Sequence, residues 1–283
     1  MNCRGILQRF VLCLPLACVE IHAGAPGVEA GEPGGDRIDG HRLVALAGSE
    51  LAGLRNLACT RTVTRSYRNS SDGLLRRIDV ISAVGGYVDG RDEETPVMRN
   101  GRQLKRTIRE LKGNWSTGEF GALLAEEAAV VASRQVAPTV SAAKDAWLIR
   151  YHVSSDDSVW DLSIGGRHWR PGYEATITVD QASGHITRIT RTVDDIAPEC
   201  PVWRFRWRVE YEPRSINDRK VSVPVRARYE NCQKSSSRCD VNEIVFSDYR
   251  EFRGITTIIF ADAGTLVRPL PGVTTPTTLL PSR

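Results

Sequence analysis

Trp203-Arg204-Phe205-Arg206-Trp207-Arg208-Val209-Glu210-Tyr211 alternates without a miss. Odd positions are aromatic or aliphatic and even positions are charged. Successive side chains of a strand point to opposite faces, so a strand here sets its rings on one side of a sheet and its guanidinium groups on the other. A helix would scatter both classes around its circumference. The segment therefore predicts an antiparallel sheet with one wet face, whose ring-rich face either fills a core or lines an apolar cavity.

Working outward, the same period recurs. Cys59 to Arg68 sets Arg61, Val63, Arg65 and Tyr67 on one side and threonines and a serine on the other, and Arg77 to Val88 carries Ile78, Val80 and Val84 before the turn pair Asp89-Gly90. Trp147, Ile149, Tyr151 and Val153 alternate, and Val159 to Ile164 continues. Tyr173 to Val193 reads as a hairpin turning through Asp180-Gln181-Ala182-Ser183-Gly184, with the glycine suited to positive φ. Strands at Val221 to Tyr229 and Val241 to Phe252 follow, with a last one at Ile255 to Ala261. Two stretches have helical spacing instead. Leu43, Leu46, Ala47, Leu51, Leu54 and Leu57 form one stripe. Phe120, Leu123, Leu124, Ala128 and Val131 form another, opened by Ser116-Thr117-Gly118-Glu119 as a capping box. Strands joined by short turns, without alternating helices, predict an α+β fold, its antiparallel sheet covered by one or two helices.

The N-terminus carries Arg4 and Arg9, an apolar run from Phe10 to Val19, then Ile21-His22-Ala23, the order of a secretory signal cleaved near Ala23. Cys18 in Leu16-Ala17-Cys18 offers a lipidated alternative, opposed by Pro15 and Glu20, and an uncleaved anchor is the third reading. The expected organisation is a signal peptide at 1–23, a flexible leader at 24–40, one domain at 41–262 and a disordered Pro/Thr-rich tail at 263–283. The mature chain has no further apolar run long enough to cross a membrane. Cleavage takes Lys+Arg from 38 to 36 and Asp+Glu from 34 to 33, a net charge of +3. That mild balance does not call for nucleic acid. Four cysteines remain, and an even count in an exported chain reads as disulfides. Cys232 and Cys239 flank a polar hairpin tip and are expected to pair, leaving Cys59 with Cys200. Zinc is the rival, but it lacks CxxC spacing and nearby histidines.

The motifs of catalysis are missing. There is no GxSxG, no HExxH and no phosphate loop, and His41, His152, His168 and His185 are scattered along the chain. No enzyme, cofactor or metal site is expected. Asp156-Asp157 and Asp194-Asp195 would point to opposite faces of a strand and read as turn residues. The basic face Arg204, Arg206 and Arg208, joined by Arg226 and Arg228, reads either as a solvated surface or as a surface for anionic groups.

At Trp115 to Gly121, at Tyr173 to Arg188, at Phe246 to Phe252 and at Cys59 to Arg65, the chain resembles an uncharacterised family of exported bacterial proteins, over roughly residues 42 to 260. More distantly, its layout of first helix, long meander, helical insertion and "strand, Asp, turn Gly, strand" hairpin is similar to lipoprotein-localisation factors of the LolA and LolB type. That resemblance implies an incomplete β-barrel whose concave face accepts acyl chains, in the periplasm or at the outer membrane. It nominates Trp203, Phe205, Trp207, Phe120 and Leu124 as cavity lining and a lipid or lipoprotein as partner. The cysteines and long basic strands depart from the carrier pattern. The alternative to lipid binding is an interaction or sensor module with a solid core that meets an envelope protein through its arginines.

Overall fold

The computed structural model describes residues 40–251 except 55–56, 71–72, 89–90, 107, 117, 134–135, 165 and 194–195. The expected signal peptide, leader, final strand, tail and Asp89-Gly90 turn lie outside the described residues. In chain order the elements are α1 (Gly40–Leu54), β1 (Leu57–Arg68), β2 (Arg76–Val88), β3 (Arg91–Arg99) and β4 (Arg102–Gln103). A 3-10 turn (Ile108–Glu110) and α2 (Ala122–Ala132) follow, then β5 (Thr139–Ala143), β6 (Ala146–Val153), β7 (Leu162–Ile164), β8 (Arg167–Trp169) and β9 (Tyr173–Asp180). The chain continues through β10 (Ile186–Val193), β11 (Val202–Ile216), β12 (Arg219–Gln233) and β13 (Cys239–Glu251).

Eleven strands form one curved antiparallel sheet in the order β4-β3-β2-β1-β13-β12-β11-β10-β9-β6-β5, not closed into a barrel. The chain folds outward from β1 to one edge, crosses through α2 to the other edge, and returns strand by strand until β13 pairs with β1. The first and last of the described strands thus meet inside the sheet. The β7-β8 hairpin stands apart from it.

Register explains the core. Ile149, Ile177, Ile189, Val209, Ala227, Ile244, Val63 and Ile81 are partners in succession across eight strands. None is more than 5 % exposed. The next inward row is different: Tyr151, Ala175, Arg191, Trp207, Tyr229, Asn242, Arg65 and Asp79 face the same side in the same succession. Helix α1 buries Leu43, Ala47 and Leu54 and packs against α2, β10 and β12.

Three expectations change. Ser116 to Glu119 does not cap α2, which starts three residues later, at Ala122. Gly118, at φ +106°, interrupts the helical path, and Glu119 is drawn away to Arg61. The cap comes from another element, Asp92 of β3, whose carboxylate accepts from the backbone N–H of Phe120, Gly121 and Ala122 at 2.7, 3.0 and 3.1 Å. Gly121 is needed there because a Cβ would lie 2.7 Å from the Tyr87 ring. Second, Trp203 leaves the ring face. The β11-β12 register shifts between Val202 and Arg204, so Val202 is buried and Trp203 lies under the Arg204 guanidinium, 4.2 Å from its ring centroid. Third, Cys232 and Cys239 are bonded, whereas Cys59 and Cys200 are separate buried thiols. Cys59 lies near the Leu57 end of β1, and Cys200 adjoins Pro201, which bonds Lys234 beyond the opposite end. Strand rise separates those ends by roughly 30 Å, far beyond disulfide reach. The Asp180 to Gly184 hairpin forms as expected, with Gly184 at φ +69°.

Candidate binding cavity

On β10, Ile189, Arg191 and Val193 all point inward by alternation, which carries a guanidinium into the core. Arg191 is fully buried, and a charge there must be paired. Its Nε donates to Glu127 of α2, and its NH1 lies 2.9 Å from Glu126. The Tyr151 hydroxyl donates to the other Glu127 oxygen. Burial disfavours the Arg191 charge, but Glu127, Tyr173 and Glu126 more than offset it and hold the guanidinium above its ordinary range. Burial pushes the Glu126 carboxyl up, against the pull of Arg191. Aromatic faces complete the site, with Arg191 4.7 Å from the Tyr173 centroid, 5.5 Å from Trp160 and 5.6 Å from Trp207.

A second buried cluster fixes the entry to α2. Arg61 of β1 donates to the Ser116 carbonyl at 2.7 Å and to Glu119 at 2.9 Å, and its NH1 lies 2.8 Å from Glu94 of β3. Burial and the neighbouring Glu119 push the Asp92 carboxyl up to about 7, although three backbone N–H groups pull it down. Arg65 grips Asp79 through two 2.7 Å bonds that hold its carboxyl below the usual range, and donates to the Lys112 carbonyl at 2.8 Å. Inward-facing arginines thus hold Lys112, Ser116 and Glu119 against the sheet.

Gly113, Asn114, Trp115 and Ser116 form one wall of a cavity of about 590 Å³. Trp160 and the β7-β8 hairpin form the opposite wall, Trp207, Tyr229 and Asn231 line the sheet side, and Glu126 enters from α2. Trp160 and Trp207 are stacked, with centroids 5.7 Å apart and planes at 29°, while Tyr229 meets Trp207 edge-on at 6.4 Å. Asn114 is held at the rim by Asp240 (3.1 Å) and Asn242 (3.2 Å), and His168 pairs with Asp161 at 2.9 Å. Three buried polar atoms on residues of this lining have no protein partner: Trp207 Nε1, Asn231 Oδ1 and Ser116 Oγ. Each of these atoms is itself buried, and an unpaired buried polar group costs about 1–3 kcal/mol.

The sequence-nominated residues do not all meet there. Trp207 lines the cavity. Phe205 is fully buried between Trp160 and Tyr229, Phe120 stacks on Tyr249 at 6.2 Å, and Leu124 is 1 % exposed. Trp203 lies away from the cavity lining, beside Arg204. Arg206 and Arg208 are exposed on the convex face, Arg208 3.5 Å from Glu210. Trp160, Ser116, Asn231 and Glu126 were not nominated. One signal was available: Glu127 stands three residues after Leu124 and four before Val131, inside the apolar stripe of α2, and Arg191 stands between Ile189 and Val193 on a strand face.

Among known proteins, no family model and no curated sequence matches the chain. Among solved structures, it is similar to a DUF1329 family protein from Desulfovibrio piger, with 10 % identity over 79 % of this chain and 97 % of that one, at a TM-score of 0.37. A likeness that distant carries no functional argument.

Proposed function

We propose that the protein is an exported, non-catalytic binding protein of the cell envelope that holds its ligand in the cavity beside Trp207. The observation that carries this reading is the cavity of about 590 Å³ itself, lined by Trp115, Trp160, Trp207 and Tyr229. That volume falls within the range of small-molecule sites. The carboxyls with raised pKa argue against catalysis, because Asp92 is engaged by a helix start and Glu126 by Arg191. An acyl chain could not occupy the whole concave face, since Phe205, Phe120 and Leu124 are packed. No helix among the described residues is long and apolar enough to cross a membrane, and the Cys232–Cys239 disulfide is compatible with export. Ser163→Trp, at an exposed position on the cavity rim, tests the site. Native mass spectrometry of the purified protein should find or accept a ligand that this variant excludes; equal occupancy in both proteins places binding elsewhere. The exposed Arg206 and Arg208 support a second reading, docking of an acidic envelope protein on the convex face.

A further inference from the structure

We infer that the tip of the β1–β2 hairpin is a foothold on an anionic phospholipid surface, with Leu74 and Leu75 entering the acyl boundary and Arg76 and Arg77 meeting the phosphates; this does not depend on the cavity. The tip projects. β3 turns at Asn100, whose N–H donates to the Val80 carbonyl at 2.8 Å, and β2 from Arg76 to Asp79 has no strand partner on that side. The strand rise between Arg76 and Val80 carries the tip about 13 Å past its neighbour. Six large apolar side chains are exposed among the described residues, and three of them, Leu74 (90 %), Ile78 (46 %) and Leu75 (40 %), fall within five consecutive positions at this tip. One exposed leucine is ordinary, but three such side chains on a projecting hairpin form a patch.

Charge names the partner. Arg76 and Arg77 are exposed, and among the described residues neither has an ion-pair partner. They follow Leu75 by one and two residues, about 3–7 Å of strand rise, and the headgroup layer on one side of a bilayer is about 5–7 Å deep. Leucines in front with guanidinium groups just behind match the order of acyl boundary and phosphate. Further back, the stretch from Arg99 to Lys112 holds six Lys and Arg against the single acid Glu110, and Arg102, Lys105, Arg106 and Lys112 are exposed. Asp72 is the one acid in the sequence of the turn. The carboxylates Asp79 and Asp240 at this end are buried and already paired, Asp79 with Arg65 and Arg99 and Asp240 with Arg238. An acidic protein would satisfy the arginines but would set charged groups against bare leucines, whereas a bilayer serves both.

The test sediments the full exported chain with vesicles of phosphatidylcholine alone and of phosphatidylcholine mixed with phosphatidylglycerol. The chain should bind the mixed vesicles, less so as salt rises, and leave the neutral ones in suspension. Arg76→Ala with Arg77→Ala should weaken binding about thirtyfold at low salt, and Leu74→Ser should weaken it at least about tenfold. Both sites are exposed, so the circular dichroism spectrum should not change. Leu74→Trp should shift its emission to the blue on mixed vesicles only. Failure to bind the mixed vesicles overturns the inference, and so does binding that Arg76→Ala with Arg77→Ala and Leu74→Ser leave intact. Capture of polyglutamate without vesicle binding, indifferent to Leu74→Ser, makes the tip a dock for an acidic protein and also overturns it. Ser163→Trp should bind vesicles as the wild type does, which keeps this test separate from that of the cavity.

Discussion

Arg191 and Arg206 occupy neighbouring strands, one register step apart, and share almost nothing else. Arg191 pairs in register with Trp207 and points into the concave face; Arg206 pairs with Thr192 and points out. The inner guanidinium is fully buried between two glutamates of α2 and three aromatic rings. The outer one lies in solvent. One side-chain type therefore plays two parts. On the convex face it keeps the outer surface of an interior strand polar. On the concave face it is a bolt that fixes α2 and the segment before it, and so shapes the cavity walls.

The sharpest way to break this comparison is to remove the inner charge. Arg191→Met leaves Glu127 buried and uncompensated and should cost about 3–5 kcal/mol in urea unfolding; adding Glu127→Leu should recover much of that loss, because the pair is coupled. An Arg191→Met protein no less stable than Arg206→Met would show that the two environments are energetically alike. Asp92→Ala should cost about 2 kcal/mol by leaving three N–H groups of α2 unpaired.

Acidity then separates two inner carboxylates. Asp92 is raised in the folded state from 3.8 to about 7, so its ionisation is more costly folded than unfolded. Its contribution is full below the unfolded value and is lost as pH rises through the folded value. Relative to Asp92→Asn, the wild type should therefore lose up to about 1.4 kcal/mol per pH unit between about pH 4 and 7. Asp79 is lowered by Arg65, so the sign reverses. Its contribution is present above the unfolded value and disappears as pH falls through the lowered one, and Asp79→Asn should be most damaging near neutrality. Parallel pH profiles for the two variants would refute these assignments. The smallest effect belongs outside: Arg206→Glu with Arg208→Glu should move stability by less than about 0.5 kcal/mol.

Much of this architecture was legible. Strands and hairpins follow from alternation because a pleated backbone has a period of two, and Asp180 with Gly184 announces its turn because few residues tolerate positive φ. The cap of α2 was misread for a local reason. Ser116 and Glu119 have the right spacing, yet Arg61, 58 residues earlier, competes for Glu119 and wins. Trp203 was misplaced because a bulge costs the sequence pattern nothing, while it turns over every side chain beyond it. The cysteine pairing by remainder assumed that every thiol of an exported chain finds a partner, and strand length denies Cys59 and Cys200 that approach.

By itself, the sequence determined which residues share a face wherever a strand runs without a bulge. The set Arg61, Val63, Arg65 and Tyr67 is dictated by the pleat, as is Ile189, Arg191 and Val193. Only the tertiary structure decided that these faces look inward, because alternation does not say which side the helices cover. The burial of the arginines then depends on carboxylates brought from Glu119 and Glu127, 58 and 64 residues distant. Desolvating a guanidinium is tolerable only with such a partner in place, and no local pattern in the chain could supply it.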